Sequence, residues 1–236
     1  MKTMKGSSSY LKNQVRKNLA KAVLCIALFF FILFTVSLRV FLTLSLSVLE
    51  AAGLLVSLVP LAAFYFYLRE YRIYNAGWEG EKQVSKLLNS KLSDDYFLIN
   101  DLYLHDGGGD IDHVVLGPTG IFVLETKNWS GDITCIGDEW QRVGKRSFKG
   151  SPSLQVKKNA AKIKRIIYSS QAFRSLGIGV EGIVVFTNNH ATLHLNNPTV
   201  LILTLPQLLN HITANGNSSR YSREQIEALG KEILKR

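Results

Sequence analysis

The sequence predicts a mixed α/β domain built around one sheet, preceded by a membrane hairpin of two helices. Three observations predict it. Residues 22–38 and 51–68 carry no charge, and only Arg39 and Glu50 interrupt the apolar region between them. Roughly 160 residues follow, the size of one ordinary domain. Those residues mix helical spacing with short β-branched runs, in an order that is not regular βαβ alternation.

The hairpin comes first. A helix needs roughly 20 apolar residues to cross a bilayer core, within a range of about 17–25. The two runs fit spans at about 22–42 and 49–68. A signal peptide followed by a core helix would share the basic start. However, the apolar region exceeds a signal core of roughly 7–15 residues, and a second span follows at once. Residues 1–21 carry Lys2, Lys5, Lys12, Arg16, Lys17 and Lys21 with no acid, and Arg69 and Arg72 follow the second run. The loop between holds Arg39 alone. By the distribution of Lys and Arg, both ends face the cytoplasm. Residues 1–21 are a basic cytoplasmic tail, 22–72 the two spans, and 75–236 the domain. Tyr65, Tyr67, Tyr71 and Tyr74 suit the interfacial belt. The formal charge of +10 mostly restates this topology, because the tail supplies six of it. Cys25 and Cys135 lie in different segments, which suits a reduced compartment, and no Cys/His spacing fits zinc.

Within the domain, "AGWEGEKQVSKLLNSKL" (76–92) places Val84, Leu87, Leu88 and Leu92 at helical spacing, with Glu79 and Glu81 in the first turn. "YFLINDLYL" (96–104) reads as a strand. "HVVLG" and "GIFVLE" read as two more, joined through Gly117-Pro118-Thr119-Gly120, and "DITCIGDEWQRV" (132–143) as a hairpin. Residues 151–173 read as a helix with Ser151 as N-cap and Pro152 at its first position. Residues 182–189 and 199–204 read as buried strands, and 206–213 and 223–234 as helices.

The strands flanking Gly117 and Gly120 carry Asp110, Asp112, Glu125 and Lys127 at their outer ends. If the two glycines close the loop, opposed residues sum to 237. Asp112 then faces Glu125, Asp110 faces Lys127, and all four share a face. Pro118 and Gly120 also suit a type I turn with a glycine bulge, which shifts the pairing by one. Two close carboxylates repel unless a cation intervenes. A hard divalent ion would resolve the repulsion, and a lysine on the same face would stabilise charge in phosphodiester hydrolysis. A salt-bridged strand pair is the competing reading.

At these residues the sequence resembles a known family. "GDIDHVV", "GIFVLETKNWSG", the upstream "AGWEGEKQV" and the downstream "SPSLQVKKN" resemble, in that order, the motifs of the NERD (nuclease-related) domain, which is similar to the PD-(D/E)XK nucleases. The resemblance covers roughly 75–214. It implies a restriction-endonuclease-like mixed sheet flanked by helices. It implies Asp112, Glu125, Lys127 and Gln155 as catalytic residues. Glu81, Asp112 and Glu125 become the ligands of Mg²⁺ or Mn²⁺. No proline precedes Asp112, which follows Ile111, a departure this family shares.

Ten basic residues and no acid lie between 142 and 174. Lys145, Arg146, Lys149, Lys157, Lys158 and Lys162 are the expected nucleic-acid contacts, with Trp140 and Phe148 as stacking surfaces. Attraction of the same block to anionic lipid is the alternative. The sequence thus points to a membrane-anchored, cytoplasm-facing nuclease-like protein acting on DNA or RNA. A non-catalytic module that binds nucleic acid or protein at the membrane is the other reading.

Overall fold

The computed structural model describes residues 1–5, 10–104, 110–144, 148, 150–174, 177–214 and 221–235. The elements, in chain order, are β1 (Lys2–Lys5), α1 (Tyr10–Thr43), α2 (Val48–Lys91), β2 (Phe97–Tyr103), β3 (Asp110–Gly117), β4 (Gly120–Lys127), β5 (Gly131–Ile136) and β6 (Glu139–Arg142), then α3 (Pro152–Ser169), α4 (Gln171–Arg174), β7 (Val180–Phe186), β8 (Ala191–Asn196), β9 (Leu201–Thr204), α5 (Leu205–Thr213) and α6 (Arg223–Leu234). They fall into two compact units, residues 9–78 and residues 1–8 with 79–236.

The first unit holds α1 and the part of α2 through Trp78. Both helices are long and apolar enough to cross a membrane. Gly53 lets α2 approach α1, since a Cβ there would lie 3.0 Å from Val36 Cγ2. Small residues at such crossings are what close packing in lipid requires. Glu50 is buried, accepts from the Ser47 backbone N–H and pairs with Arg39 at 3.5 Å. The two charges that interrupt the apolar region thus answer each other. The structure differs from expectation at both ends of these helices. Residues 10–21 are helical, and α2 runs on to Lys91, so no separate helix begins at 76. The segment from Leu68 to Lys91 contains no proline, and Gly77 and Gly80 each cost only about 1 kcal/mol in a helix.

In the second unit the strands among the described residues form two sheets, not one. The larger has the order β1-β2-β3-β4-β7-β9, and the smaller has β6-β5-β8. β2, β3 and β4 are mutually antiparallel, whereas β1 joins β2, and β7 joins β4 and β9, in parallel. Ile121, Val123, Val114, Leu116 and Val184 face α3 and α6. Val115, Phe122, Leu124, Ile183 and Val185 face Val84 and Leu88 of α2 and Leu208 and Ile212 of α5. The unit is therefore mixed α/β, with helices on both faces of the larger sheet. The second sheet arises because the β5–β6 hairpin pairs with β8 rather than with β4. The β8 segment "ATLHLN" is mostly exposed, so it lacks the apolar run that marks a buried strand in a sequence. The helix expected over 151–173 ends at Ser169, whose hydroxyl donates to the Ile166 carbonyl at 2.7 Å and competes with the helical ladder. Its start is as expected: the Ser151 hydroxyl accepts from the Leu154 N–H.

Candidate active site

The β3–β4 hairpin sets the geometry. Gly117 pairs with Gly120, and the register runs Leu116↔Ile121 to His113↔Leu124, each pair summing to 237, with no bulge to shift it. The ladder stops there. One residue further, the Asp112 carboxylate accepts the Thr126 backbone N–H at 2.7 Å. A side chain thus answers a strand N–H just past the last paired residues.

Glu125 points from β4 toward the α3 side and is 1% exposed. Its Oε1 accepts from Lys127 Nζ at 2.5 Å. Its Oε2 is buried with no hydrogen-bond partner among the described residues. Glu81 comes from α2. The dipole argument for it fails, because Glu81 lies well inside α2 rather than in a first turn. What brings it in is Gly80. A Cβ at that position would stand 2.9 Å from Thr187 Oγ1, 3.0 Å from Asn128 Cβ and 3.3 Å from Thr126 Cγ2. Only glycine lets the helix lie that close to the ends of β4 and β7.

The charges feel one another. Burial, then Asp112, Asp101 and Glu125, push the Glu81 carboxyl up to about 9 against the pull of Lys127. Burial, then Asp112, push Glu125 up to about 8, again opposed by Lys127. Burial pushes Asp112 up to about 6, with Lys127 and the Thr126 N–H holding it back. Burial works against the Lys127 ammonium, but Glu125, Asp112 and Glu81 together hold its pKa above the ordinary value. The site therefore holds several acids around one cation and cannot ionise them all at neutral pH. Asp101 belongs to this field, and sequence reading missed it. It sits on β2 with a left-handed backbone, φ 52°. The available signal was a carboxylate inside a largely apolar strand.

Other expected residues lie elsewhere. Gln155 is exposed on α3. Asn159, one turn later, is buried with Oδ1 unpartnered. Asp110 pairs with Tyr103 and acts on Asp112. The β3–β4 ladder ends at His113 and Leu124, so the expected pairs Asp112–Glu125 and Asp110–Lys127 are not part of it. Lys145, Arg146 and Lys149 lie outside the described residues. Lys158 is exposed, and Lys157 is engaged by Asp138 at 2.8 Å. Lys162 is only 5% exposed, so it does not offer a surface to a phosphate backbone as expected. Nor is Trp140 a stacking surface. It is buried in the core, and its Nε1–H donates to Ser153 Oγ at 2.9 Å. Phe148 instead stacks on Trp129.

Among the described residues, no three His, Cys, Asp or Glu side chains already stand as a metal-holding cluster. The donor chemistry is nevertheless that of a hard cation: carboxylate oxygens, one of them buried and unpartnered.

Residues 76–187 match the family model described as "Nuclease-related domain", a segment that contains Glu81, Asp112, Glu125, Lys127 and Gln155. An uncharacterized protein of Bacillus anthracis is 38% identical over 58 residues, which cover 23% of this chain and 27% of that protein. No solved structure matches the chain. Residues 76–187 are therefore a NERD, or nuclease-related, domain.

Proposed function

We propose that the protein is a membrane-anchored nuclease that hydrolyses DNA or RNA phosphodiesters with a divalent metal ion, on a restriction-endonuclease-like fold related to the PD-(D/E)XK enzymes. The observation that carries this reading is the gathering of Glu81, Asp112 and Glu125 around Lys127 at the end of the β3–β4 ladder, inside a nuclease-related domain. Glu81, Asp112 and Glu125 would hold Mg²⁺ or Mn²⁺. The ion would supply Lewis-acid stabilisation of phosphoryl charge. Lys127 would offer its ammonium to the phosphoryl oxygens, and Glu125 now occupies that ammonium. Gln155 keeps a role only as an exposed contact to the substrate strand, together with Lys158.

The apolar reach of α1 and α2 supports an anchor in the cell membrane. The pairing of Lys2–Lys5 with Phe97–Asn100 supports one side for the N-terminus and the domain. With the basic flanks, that side is the cytoplasm.

One observation favours a second reading. The 2.5 Å Lys127–Glu125 pair is what a structural salt bridge in a non-catalytic binding module would also show. The two are separated by incubating the full chain, in detergent, with single- and double-stranded DNA and RNA in Mg²⁺, in Mn²⁺ or in EDTA. We expect metal-dependent cleavage that Glu125→Gln abolishes. Metal-independent binding without cleavage of any substrate would leave the module.

A further inference from the structure

Lys127 is one end of a column of side chains. Its Nζ lies 5.8 Å from the centroid of the Trp129 ring. Phe148 stacks flat on Trp129, with centroids 3.6 Å apart and planes 8° off parallel. The Arg142 guanidinium lies 5.4 Å from the centroid of Phe148. Trp129 is held in place by edge contacts with Trp140 and Phe186, each at 6.2 Å. The column therefore ties a second cation to the site lysine through two fixed rings.

The two cations differ in what balances them. Lys127 has Glu125 at 2.5 Å. Arg142 has no carboxylate partner among the described residues, and its Nε is buried with no acceptor. Asp138, next to the other end of β6, is already taken by Lys157 and by the Thr199 hydroxyl. The cation–π contact with Phe148 engages the guanidinium charge but leaves its N–H groups without an acceptor there. An unmet buried donor on a charged group is costly, so an acceptor reaching Arg142 would be favoured. The planar fork of arginine suits the paired oxygens of a phosphate.

We infer that Arg142 is an anchor for a second phosphate of the substrate strand, at a fixed offset from the phosphodiester at Lys127. This rests on the nuclease reading for what Lys127 faces. Because Phe148 and Trp129 already stack on each other, the column acts as a spacer between two phosphates and not as a platform for a base.

The test is fluorescence anisotropy of a labelled single-stranded oligonucleotide with the full chain in detergent, in EDTA, from low to moderate salt. Arg142→Ala should weaken binding by about tenfold, as one lost charge-assisted contact does. It should lower the slope of log affinity against log salt by about 0.7. Arg142→Lys should restore the slope but not the whole affinity. In cleavage assays the loss should fall on KM more than on kcat. Melting of each variant with and without Mn²⁺ guards against misfolding: Arg142→Lys must melt like the parent. An unchanged slope and Kd in Arg142→Ala, or no oligonucleotide binding by the parent, would overturn the assignment. So would loss of binding to anionic lipid vesicles with the oligonucleotide affinity intact. A parent that binds but never cuts, with the slope still lowered in Arg142→Ala, would sink the cleavage reading and leave Arg142 as a phosphate anchor.

Discussion

The β3–β4 hairpin has two ends, built from the same two strands, that behave in opposite ways. At the turn end every position from Leu116 and Ile121 to His113 and Leu124 is laddered, and the side chains between are apolar and buried. The Tyr96 ring lies over Gly117, and its hydroxyl meets Thr119 Oγ1 at 3.1 Å. At the open end the ladder stops. His113 Nε2, Glu125 Oε2, Thr126 Oγ1 and, just past the end of β7, Thr187 Oγ1 are all buried without hydrogen-bond partners among the described residues. Buried polar groups are ordinarily satisfied. Their concentration at one end of one hairpin marks where the fold accepts a cost that the other end offsets. Functional sites are where such costs are expected.

The largest effect should come from the open end. Lys127→Ala leaves Glu125 and Asp112 facing each other without the ammonium. We expect loss of at least about a hundredfold in cleavage rate. Stability should fall by about 2–3 kcal/mol at pH 8.5, below the range for an ion pair that cannot adjust. The loss should be smaller at pH 6, where Glu125 escapes by taking a proton. Denaturant melts at the two pH values read this out. Equal destabilisation at both would mean that proton uptake does not relieve the site.

Two glycines sharpen the comparison. At the turn end, a Cβ on Gly117 would stand 2.2 Å from the Tyr96 ring. Gly117→Ala should cost about 2–3 kcal/mol by overpacking, yet leave the Mn²⁺ response intact. Gly80→Ala should be milder, about 1 kcal/mol net, because the helix gains roughly 1 kcal/mol of propensity while the contact with Asn128 and Thr187 is forced. It should nevertheless remove the Mn²⁺ response, since Glu81 moves with the helix. If both variants kept that response, close approach at Gly80 would not be what positions Glu81.

The legible parts of this molecule were those with a local signature. The two apolar helices, the Ser151-Pro152 helix start and the 237 register all follow from spacing and turn chemistry within a few residues. The register brings Asp112 and Glu125 to the same end of the hairpin, although the ladder itself stops at His113 and Leu124. What escaped depends on distant contacts. The merger of the 76–92 helix into α2 depended on the absence of a stop signal, which is a weaker cue than a stop. β1 and β8 are short strands, and β8 is largely exposed, so neither shows the apolar run of a buried strand. The burial of Lys162 and Trp140 reflects which face of α3 and β6 meets the sheet. A run of basic residues cannot reveal that, since its sum of charges is the same whichever way each side chain points. Gln155 and Asn159 share a helical face by spacing, but only Asn159 is buried against the sheet.

The central claim is that the acids at the open end await a cation and are not there to brace Lys127. Thermal melts of the full chain and of Glu125→Gln, with and without Mn²⁺, at pH 6 and pH 8.5, test it most directly. The folded-state pKa values of Glu81 and Glu125 are raised, to about 9 and about 8, so the metal-free fold binds more protons than the unfolded chain above about pH 4.5. Stability from these groups is therefore greatest at low pH and is lost as pH rises through 8 and 9. The account predicts that the metal-free protein melts lower at pH 8.5 than at pH 6. Mn²⁺ should raise its melting point more at pH 8.5, because ligands must be ionised to bind. At a hundredfold excess over Kd the gain is about 2.7 kcal/mol. Glu125→Gln should be as stable as the parent without metal, with a flatter pH dependence and no Mn²⁺ shift. A parent with no Mn²⁺ shift at either pH, and a Glu125→Gln destabilised by about 3–5 kcal/mol, would contradict the account and leave a buried salt bridge in its place.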